Sequence, residues 1–185
     1  VCDANRGPTG PSRHASAMTA DTSSPFHAER ALQMAARTFE IEARALLGLA
    51  ARQGAGFAQA VQAMLDCRGR VVVMGMGKSG HVGRKIAATL ASTGTNAFFV
   101  HPAEMSHGDL GMLRKDVTLL AISNSGESRE LRDPLIYCQR EGIPVIGLTQ
   151  RPNSFLGRSS AVCLTMPQVA EACPNGLAPT TSTLT

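Results

Sequence analysis

The sequence contains no tryptophan, one tyrosine and six phenylalanines in 185 residues, which leaves few rings on which nucleic-acid bases could stack. Its basic residues are dispersed along the chain, and a net charge of +4 suits a small anionic ligand better than a nucleic acid. No apolar run approaches the length of a membrane span, and the N-terminus lacks the basic-then-apolar pattern of a secretory signal. The expectation is a cytoplasmic chain with no nucleic-acid or membrane partner. Five scattered cysteines, Cys2, Cys67, Cys138, Cys163 and Cys173, include no C-x-x-C pair, so neither a zinc ribbon nor a dithiol redox motif is present and reduced thiols are expected. With 43% hydrophobic and 17% charged residues, the chain is not a disordered polyelectrolyte. Its length fits one domain.

Residues 1–25 hold three prolines, two glycines and many Ser, Thr and Ala without periodicity, and read as a flexible leader. The domain is expected over 26–185. From His27 to Ala51 the residues Leu32, Ala35, Ala36, Phe39, Ala43, Leu46 and Leu47 fall at helical spacing and predict an amphipathic helix. Gly54 and Gly56 interrupt it, and Phe57, Val61, Met64 and Leu65 predict a second. Beyond this, short apolar runs at Val71 to Met74, Ala97 to Val100, Val117 to Ile122, Val145 to Leu148 and Val162 to Met166 alternate with helical stretches at Gly80 to Ser92, Ser128 to Arg140 and around Phe155. Continuous apolar runs are the mark of strands buried on both faces, so the series predicts an α/β fold, a doubly wound, mostly parallel sheet flanked by helices. Ligands in such sheets lie beyond the carboxyl ends of the strands, which directs attention to the turns after Met74, Val100, Ile122 and Leu148.

The first of these turns, Gly75-Met76-Gly77-Lys78-Ser79-Gly80, has the G-x-G-x-x-G spacing of a dinucleotide loop. The acidic residue that would hold a ribose is missing from Thr93 to Val100, and the spacing is not that of a Walker loop. What remains is a loop around Gly77 and Ser79 that exposes N–H groups to an anion, with Lys78 adding a mobile positive charge. The turn after the third run, Ser123-Asn124-Ser125-Gly126-Glu127-Ser128, sets three hydroxyls at the start of a helix. A single serine there would be an ordinary N-cap, whereas Ser123, Ser125 and Ser128 together form a phosphate cradle. A second hydroxyl cluster, Thr180-Thr181-Ser182-Thr183, follows Pro179.

Taken alone, Glu130 reads as a solvated or dipole-favoured carboxylate and His101 as a turn histidine. His101 and His107, six residues apart with Glu104 between them, do not define a metal geometry. Glu104, Asp109 and Glu127 read as caps or polar supports of the binding loops.

The blocks Gly75 to Gly80, His101-Pro102-Ala103-Glu104, His107-Gly108-Asp109-Leu110-Gly111, Ser123 to Ser128, Glu171-Ala172-Cys173-Pro174 and Ala178-Pro179-Thr180-Thr181-Ser182 occur in uninterrupted order. Together they resemble the sugar isomerase (SIS) domain of the D-arabinose 5-phosphate isomerase family. The resemblance implies reversible interconversion of D-arabinose 5-phosphate and D-ribulose 5-phosphate, feeding synthesis of the Kdo sugar of lipopolysaccharide, with no cofactor required and a homo-oligomeric, by resemblance tetrameric, assembly. It places Lys78, Glu130 and Glu171 at catalytically important positions and His101 and His107 at sugar-binding positions. Gly77, Ser79, Ser123, Asn124, Ser125, Ser128, Thr180, Thr181 and Ser182 fall at substrate-binding positions. His107 also matches a position associated with inhibitory zinc.

The residue types suit that chemistry. Moving a carbonyl from C1 to C2 needs a base for a carbon-bound proton, stabilisation of an enediolate oxygen and return of the proton. Glu171 is the favoured acid/base, Lys78 the charge stabiliser, and Glu130 a residue that orients hydroxyls or shares proton transfer. Members of the family commonly continue with a closing helix, a further histidine and a pair of CBS domains, so the resemblance implies an incomplete C-terminal end here, with no CBS domains in this sequence. Another phosphosugar isomerase, or a non-catalytic sugar-phosphate-sensing module, is the alternative.

Overall fold

The computed structural model describes residues 26–52, 54–105 and 108–185. The leader expected at 1–25 lies outside them, as does His107. Two helices, α1 (Ala28–Ala50) and α2 (Ala55–Leu65), precede the strand β1 (Val71–Gly75). The chain continues through α3 (Gly77–Ser92), β2 (Ala97–Phe99), α4 (Pro102–Met105), β3 (Thr118–Ile122), α5 (Arg132–Glu141), β4 (Val145–Thr149), α6 (Phe155–Ser159), β5 (Val162–Thr165) and α7 (Thr181–Leu184). All strand pairings are parallel, in the order β2-β1-β3-β4-β5. The doubly wound α/β sheet predicted from the apolar runs is the fold observed.

Every residue of β1 and β3 is buried, as expected of central parallel strands covered on both faces. The period of two divides their side chains between two cores. Val72, Met74 and Leu119 pack with Leu135, Cys138 and Leu156 under α5 and α6, while Val71, Val73 and Leu120 pack with Ala60 and Ala87 from α2 and α3. Burial pushes the Cys138 thiol up to about 12, which makes it a structural apolar residue. The edge strand β5 is only partly covered.

The chain leaves β1 toward β2 on one side and returns to β3 on the other. The order therefore reverses between β1 and β3, the place where doubly wound sheets open a ligand crevice. Gly75 and Ile122 are register partners, so the glycine turn and the hydroxyl turn leave the sheet side by side.

One expectation needs correction. The helix predicted from Ser128 to Arg140 begins as a 3-10 turn, Arg129–Leu131, and becomes α-helical only at Arg132. Pro134 is the reason: farther into a continuous helix its ring would meet the carbonyl of Glu130, whereas in the first turn it is tolerated. Gly142, at φ 70°, ends α5 in a left-handed C-cap. In α1 the predicted helix forms, with its apolar stripe facing outward. Leu32, Phe39 and Leu47 are 73%, 71% and 71% exposed, and the half-buried residues are Thr38, Ile41, Glu42, Ala45 and Leu49 on another face.

Candidate functional site

The glycine turn is held close to the sheet for a steric reason. A Cβ on Gly80 would lie 2.6 Å from the Gly75 carbonyl oxygen, and one on Gly83 would lie 3.2 Å from both the Phe99 ring and Val73. The glycines thus let α3 approach β1 and β2, a packing role that accounts for the G-x-G-x-x-G spacing without a dinucleotide. Gly77 adopts a left-handed backbone, φ 52°, that favours glycine, with open space where a Cβ would stand.

The hydroxyl turn is built from its own hydrogen bonds. Ser123 is 3% exposed; its Oγ accepts from the Gly126 N–H at 3.1 Å and lies 2.9 Å from the Ser128 Oγ. Ser125 Oγ accepts from the Glu127 N–H at 3.2 Å. Asn124 and Ser125 are exposed and Ser128 is half-buried. Ser123 therefore shapes the loop from within, while its neighbours face solvent.

A cleft of about 630 Å³ lies over the carboxyl ends of β1, β3 and β4 and is lined by Lys78, Ser79, Asn124, Pro179, Ser182 and Thr183, among others. It unites the three segments singled out in the sequence. Lys78 Nζ donates to the Pro179 carbonyl at 3.2 Å, which ties the glycine turn to the terminal hydroxyl segment. Thr181, in the first turn of α7, is fully buried, and its hydroxyl has no hydrogen-bond partner among the described residues.

Glu171 grips the same terminal segment from the other side. Its Oε2 accepts from the Thr180 N–H at 2.6 Å, the Thr180 hydroxyl at 3.0 Å and the Ser182 N–H at 3.3 Å. Partial burial, the largest single influence, pushes the carboxyl up, but the hydrogen bonds from Ser182 and Thr180 together hold it below the usual carboxylate range. Glu171 thus stands as a carboxylate at neutral pH. Its side chain does not line the cleft; it lines a second concavity, of about 650 Å³, against Arg30, Met34 and Arg37 of α1. Cys173 borders that concavity, and backbone N–H groups of Ala178, Asn175, Leu177 and Gly176 hold its thiol below the ordinary range.

The remaining expected residues lie apart. Glu130 is half-buried on the 3-10 turn after the hydroxyl loop and does not line the cleft. His101 is half-buried between β2 and α4, and its carbonyl accepts from the Glu104 N–H at 3.0 Å. Among the described residues no cluster of three His, Cys, Asp or Glu side chains could hold a metal ion, and no helix is long and apolar enough to cross a membrane.

Sequence reasoning did not find the platform beneath the hydroxyl loop. Thr149 Oγ1 and the Gln150 N–H both donate to the Asn124 carbonyl, at 3.2 and 3.1 Å. Ser154 caps α6 by accepting from the Gly157 N–H at 3.2 Å. A serine followed three residues later by a helical glycine in the turn after Leu148 was the available signal.

Residues 64–185 match a family described as the SIS domain. The arabinose 5-phosphate isomerase KdsD of Pseudomonas aeruginosa is 53% identical over 152 residues, which cover 82% of this chain and 47% of that protein. The enzyme of the same name from Yersinia pestis is 50% identical over 153 residues, covering 82% of this chain and 46% of that protein. The chain thus spans about half the length of the curated relatives it matches. The solved structure of Escherichia coli CFT073 c3406, with a sugar phosphate bound, superposes with a TM-score of 0.80 at 37% identity, covering 85% of this chain and 84% of that one.

Proposed function

Since this chain belongs to the SIS domain family, we propose that the protein interconverts D-arabinose 5-phosphate and D-ribulose 5-phosphate through an enediol intermediate. The observation that carries this reading is the cleft in which Lys78, Ser79, Asn124 and Ser182 meet, in a chain 53% identical to an arabinose 5-phosphate isomerase.

In this reading the hydroxyl loop Ser123 to Ser128, with Thr180, Thr181 and Ser182, receives the phosphate, and Gly77 and Ser79 offer backbone and hydroxyl to the same end of the cleft. His101 and His107 contact the sugar. A base removes the proton on C2 of the aldose, and the electron pair of that C–H bond becomes the C1–C2 double bond as the C1 oxygen gains a proton. Loss of the proton on the C2 oxygen and protonation of C1 complete the ketose. Glu171 is the favoured base: it is ionised at neutral pH, and Ser182, which donates to it through its N–H, lines the cleft. Lys78 holds the negative charge that develops on the oxygens, and Glu130 orients hydroxyls or shares proton transfer. The reaction is redox-neutral and requires no cofactor, and zinc at His107 would inhibit.

The reading extends to a cytoplasmic role upstream of Kdo and lipopolysaccharide synthesis, and to a homo-oligomer, a tetramer by resemblance, in which a second copy covers the exposed stripe of α1. Incubating the full-length protein with a panel of pentose, hexose and heptose phosphates tests the reaction. Turnover confined to the arabinose and ribulose 5-phosphates supports it. Turnover of a hexose or heptose phosphate instead identifies another phosphosugar isomerase, and tight binding without turnover of any identifies a sensing module.

A further inference from the structure

The hydroxyl turn is short, glycine-containing and exposed at Asn124 and Ser125, yet a phosphate cradle works only if its donors are fixed before the anion arrives. Within the turn, Ser123 supplies part of that order. The rest comes from outside, from the β4–α6 connection. Gly126, at φ 67°, packs so tightly against it that an added Cβ would collide with Ser154 and lie 2.9 Å from the Thr149 hydroxyl. The Gly126 carbonyl accepts from the Leu156 N–H at 3.0 Å. The next residue, Glu127, reaches across: its Oε1 accepts from the Phe155 N–H, the first backbone donor of α6, at 3.0 Å. Its Oε2 lies 3.6 Å from the Arg132 guanidinium of α5, and that guanidinium in turn sits 5.2 Å from the centre of the Phe155 ring.

We infer that Glu127 is a positioning residue that latches the hydroxyl loop to α6 and so presets it for a phosphate group. A carboxylate beside an anion site is an electrostatic liability, since like charges in a partly dry cleft repel. Here the liability is answered by geometry. One oxygen accepts from the first N–H of α6 and the other faces a cation, so both are engaged by the support. The Arg132–Glu127 pair is half-exposed, and a pair of that kind contributes little stability by itself; its effect is to orient the carboxylate toward Phe155. The inference rests on the phosphate-binding role assigned to this loop above.

Because the loop touches the phosphate and not the reacting carbons, loosening it should weaken ground state and transition state alike, which raises KM and leaves kcat in place. The test follows inorganic phosphate binding by NMR at the amides of residues 125–128, alongside turnover of D-arabinose 5-phosphate by the full-length protein. The wild type is compared with Glu127→Ala and Glu127→Gln. The Ala variant is expected to lose about ten-fold in phosphate affinity and to show an about ten-fold higher KM, with kcat within about two-fold. The Gln variant retains an oxygen that accepts the Phe155 N–H and is expected to recover most of the affinity; its near-isosteric side chain keeps the test open if the Ala variant folds poorly. Unchanged phosphate affinity in both variants, or a fall in kcat at unchanged KM, overturns the inference. A wild type that binds phosphate but isomerises nothing, with the Ala variant binding more weakly, sustains the latch and refutes the isomerase. Isomerisation with phosphate affinity indifferent to Glu127 does the reverse.

Discussion

Glu171 Oε2 lies 2.6 Å from the backbone nitrogen of Thr180, and on the far side of the same segment Lys78 Nζ lies 3.2 Å from the Pro179 carbonyl oxygen. The two residues assigned to proton transfer and charge stabilisation therefore clamp four consecutive residues, Pro179 to Ser182, between them. Chemistry and the placing of the terminal hydroxyls are coupled through this clamp.

The first consequence concerns pH. The Glu171 carboxyl is held below its ordinary range in the folded chain, so its contribution to stability is fully present above the unfolded carboxylate value of about 4.3 and is lost as pH falls through the lower folded value. Amide hydrogen exchange at Thr180 and Ser182 is expected to accelerate over that acidic window in the wild type, relative to buried amides such as Leu119. In Glu171→Gln this acid-dependent step should vanish; its persistence there would assign the titration to another group.

Glu171→Gln also bears on catalysis. Loss of the proton-accepting carboxylate should lower kcat by about 10² to 10⁴, while ligand affinity largely survives because Gln can still accept from the Thr180 N–H. Steady-state kinetics of the full-length variant checks this, and wild-type turnover would move the base to Glu130.

Ser123 and Ser125 should separate stability from binding. Ser123→Ala removes the hydroxyl that accepts from the Gly126 N–H and meets the Ser128 hydroxyl, leaving that N–H the Ser123 carbonyl, and is expected to cost about 0.5–1.5 kcal/mol of folding stability, with about ten-fold weaker phosphate binding through the loosened loop. Ser125→Ala, at an exposed position, should leave the urea midpoint nearly unchanged and act on binding alone. Equal urea midpoints for the two variants would contradict the interior role of Ser123.

Gly80→Ala tests the packing account of the glycine turn. The added methyl would meet the Gly75 carbonyl at 2.6 Å, a backbone contact that cannot swing aside, and overpacking of this kind costs about 1–3 kcal/mol. A thermal melt of the variant should show the loss, and a neutral substitution would return the turn to a purely ligand-directed role.

Much of this architecture is legible in the sequence because the short apolar runs at Val71 and Val117, the latter broken only by Thr118, are the pattern of strands covered on both faces. Side-by-side exit of the turns after Gly75 and Ile122 follows once the strand order is known, but that order rests on long-range pairing no local pattern encodes. The 3-10 start before Arg132 follows from Pro134, which the periodicity of the apolar residues does not register. The apolar spacing of Leu32 and Phe39 marks the α1 stripe in the sequence, but no local pattern says which face of the helix the sheet covers. Likewise Glu127 looked like one of several polar supports, and only its bond to Phe155, 28 residues on, distinguishes it.

Light scattering tests the α1 stripe. Phe39, 71% exposed in the protomer, is expected to lie between copies, so Phe39→Glu should shift the full-length protein to a smaller species at micromolar concentration without lowering its helix content. A wild-type protein that is already monomeric would contradict the assembly.

The central claim is proton transfer at C2 through an enediol, and NMR of D-arabinose 5-phosphate incubated with the full-length protein in D₂O tests it most directly. The account predicts appearance of D-ribulose 5-phosphate with solvent deuterium entering the sugar at C1 or C2, and loss of both signals in Glu171→Gln. A wild-type protein that binds the sugar phosphate in the cleft yet neither forms the ketose nor exchanges deuterium would contradict it.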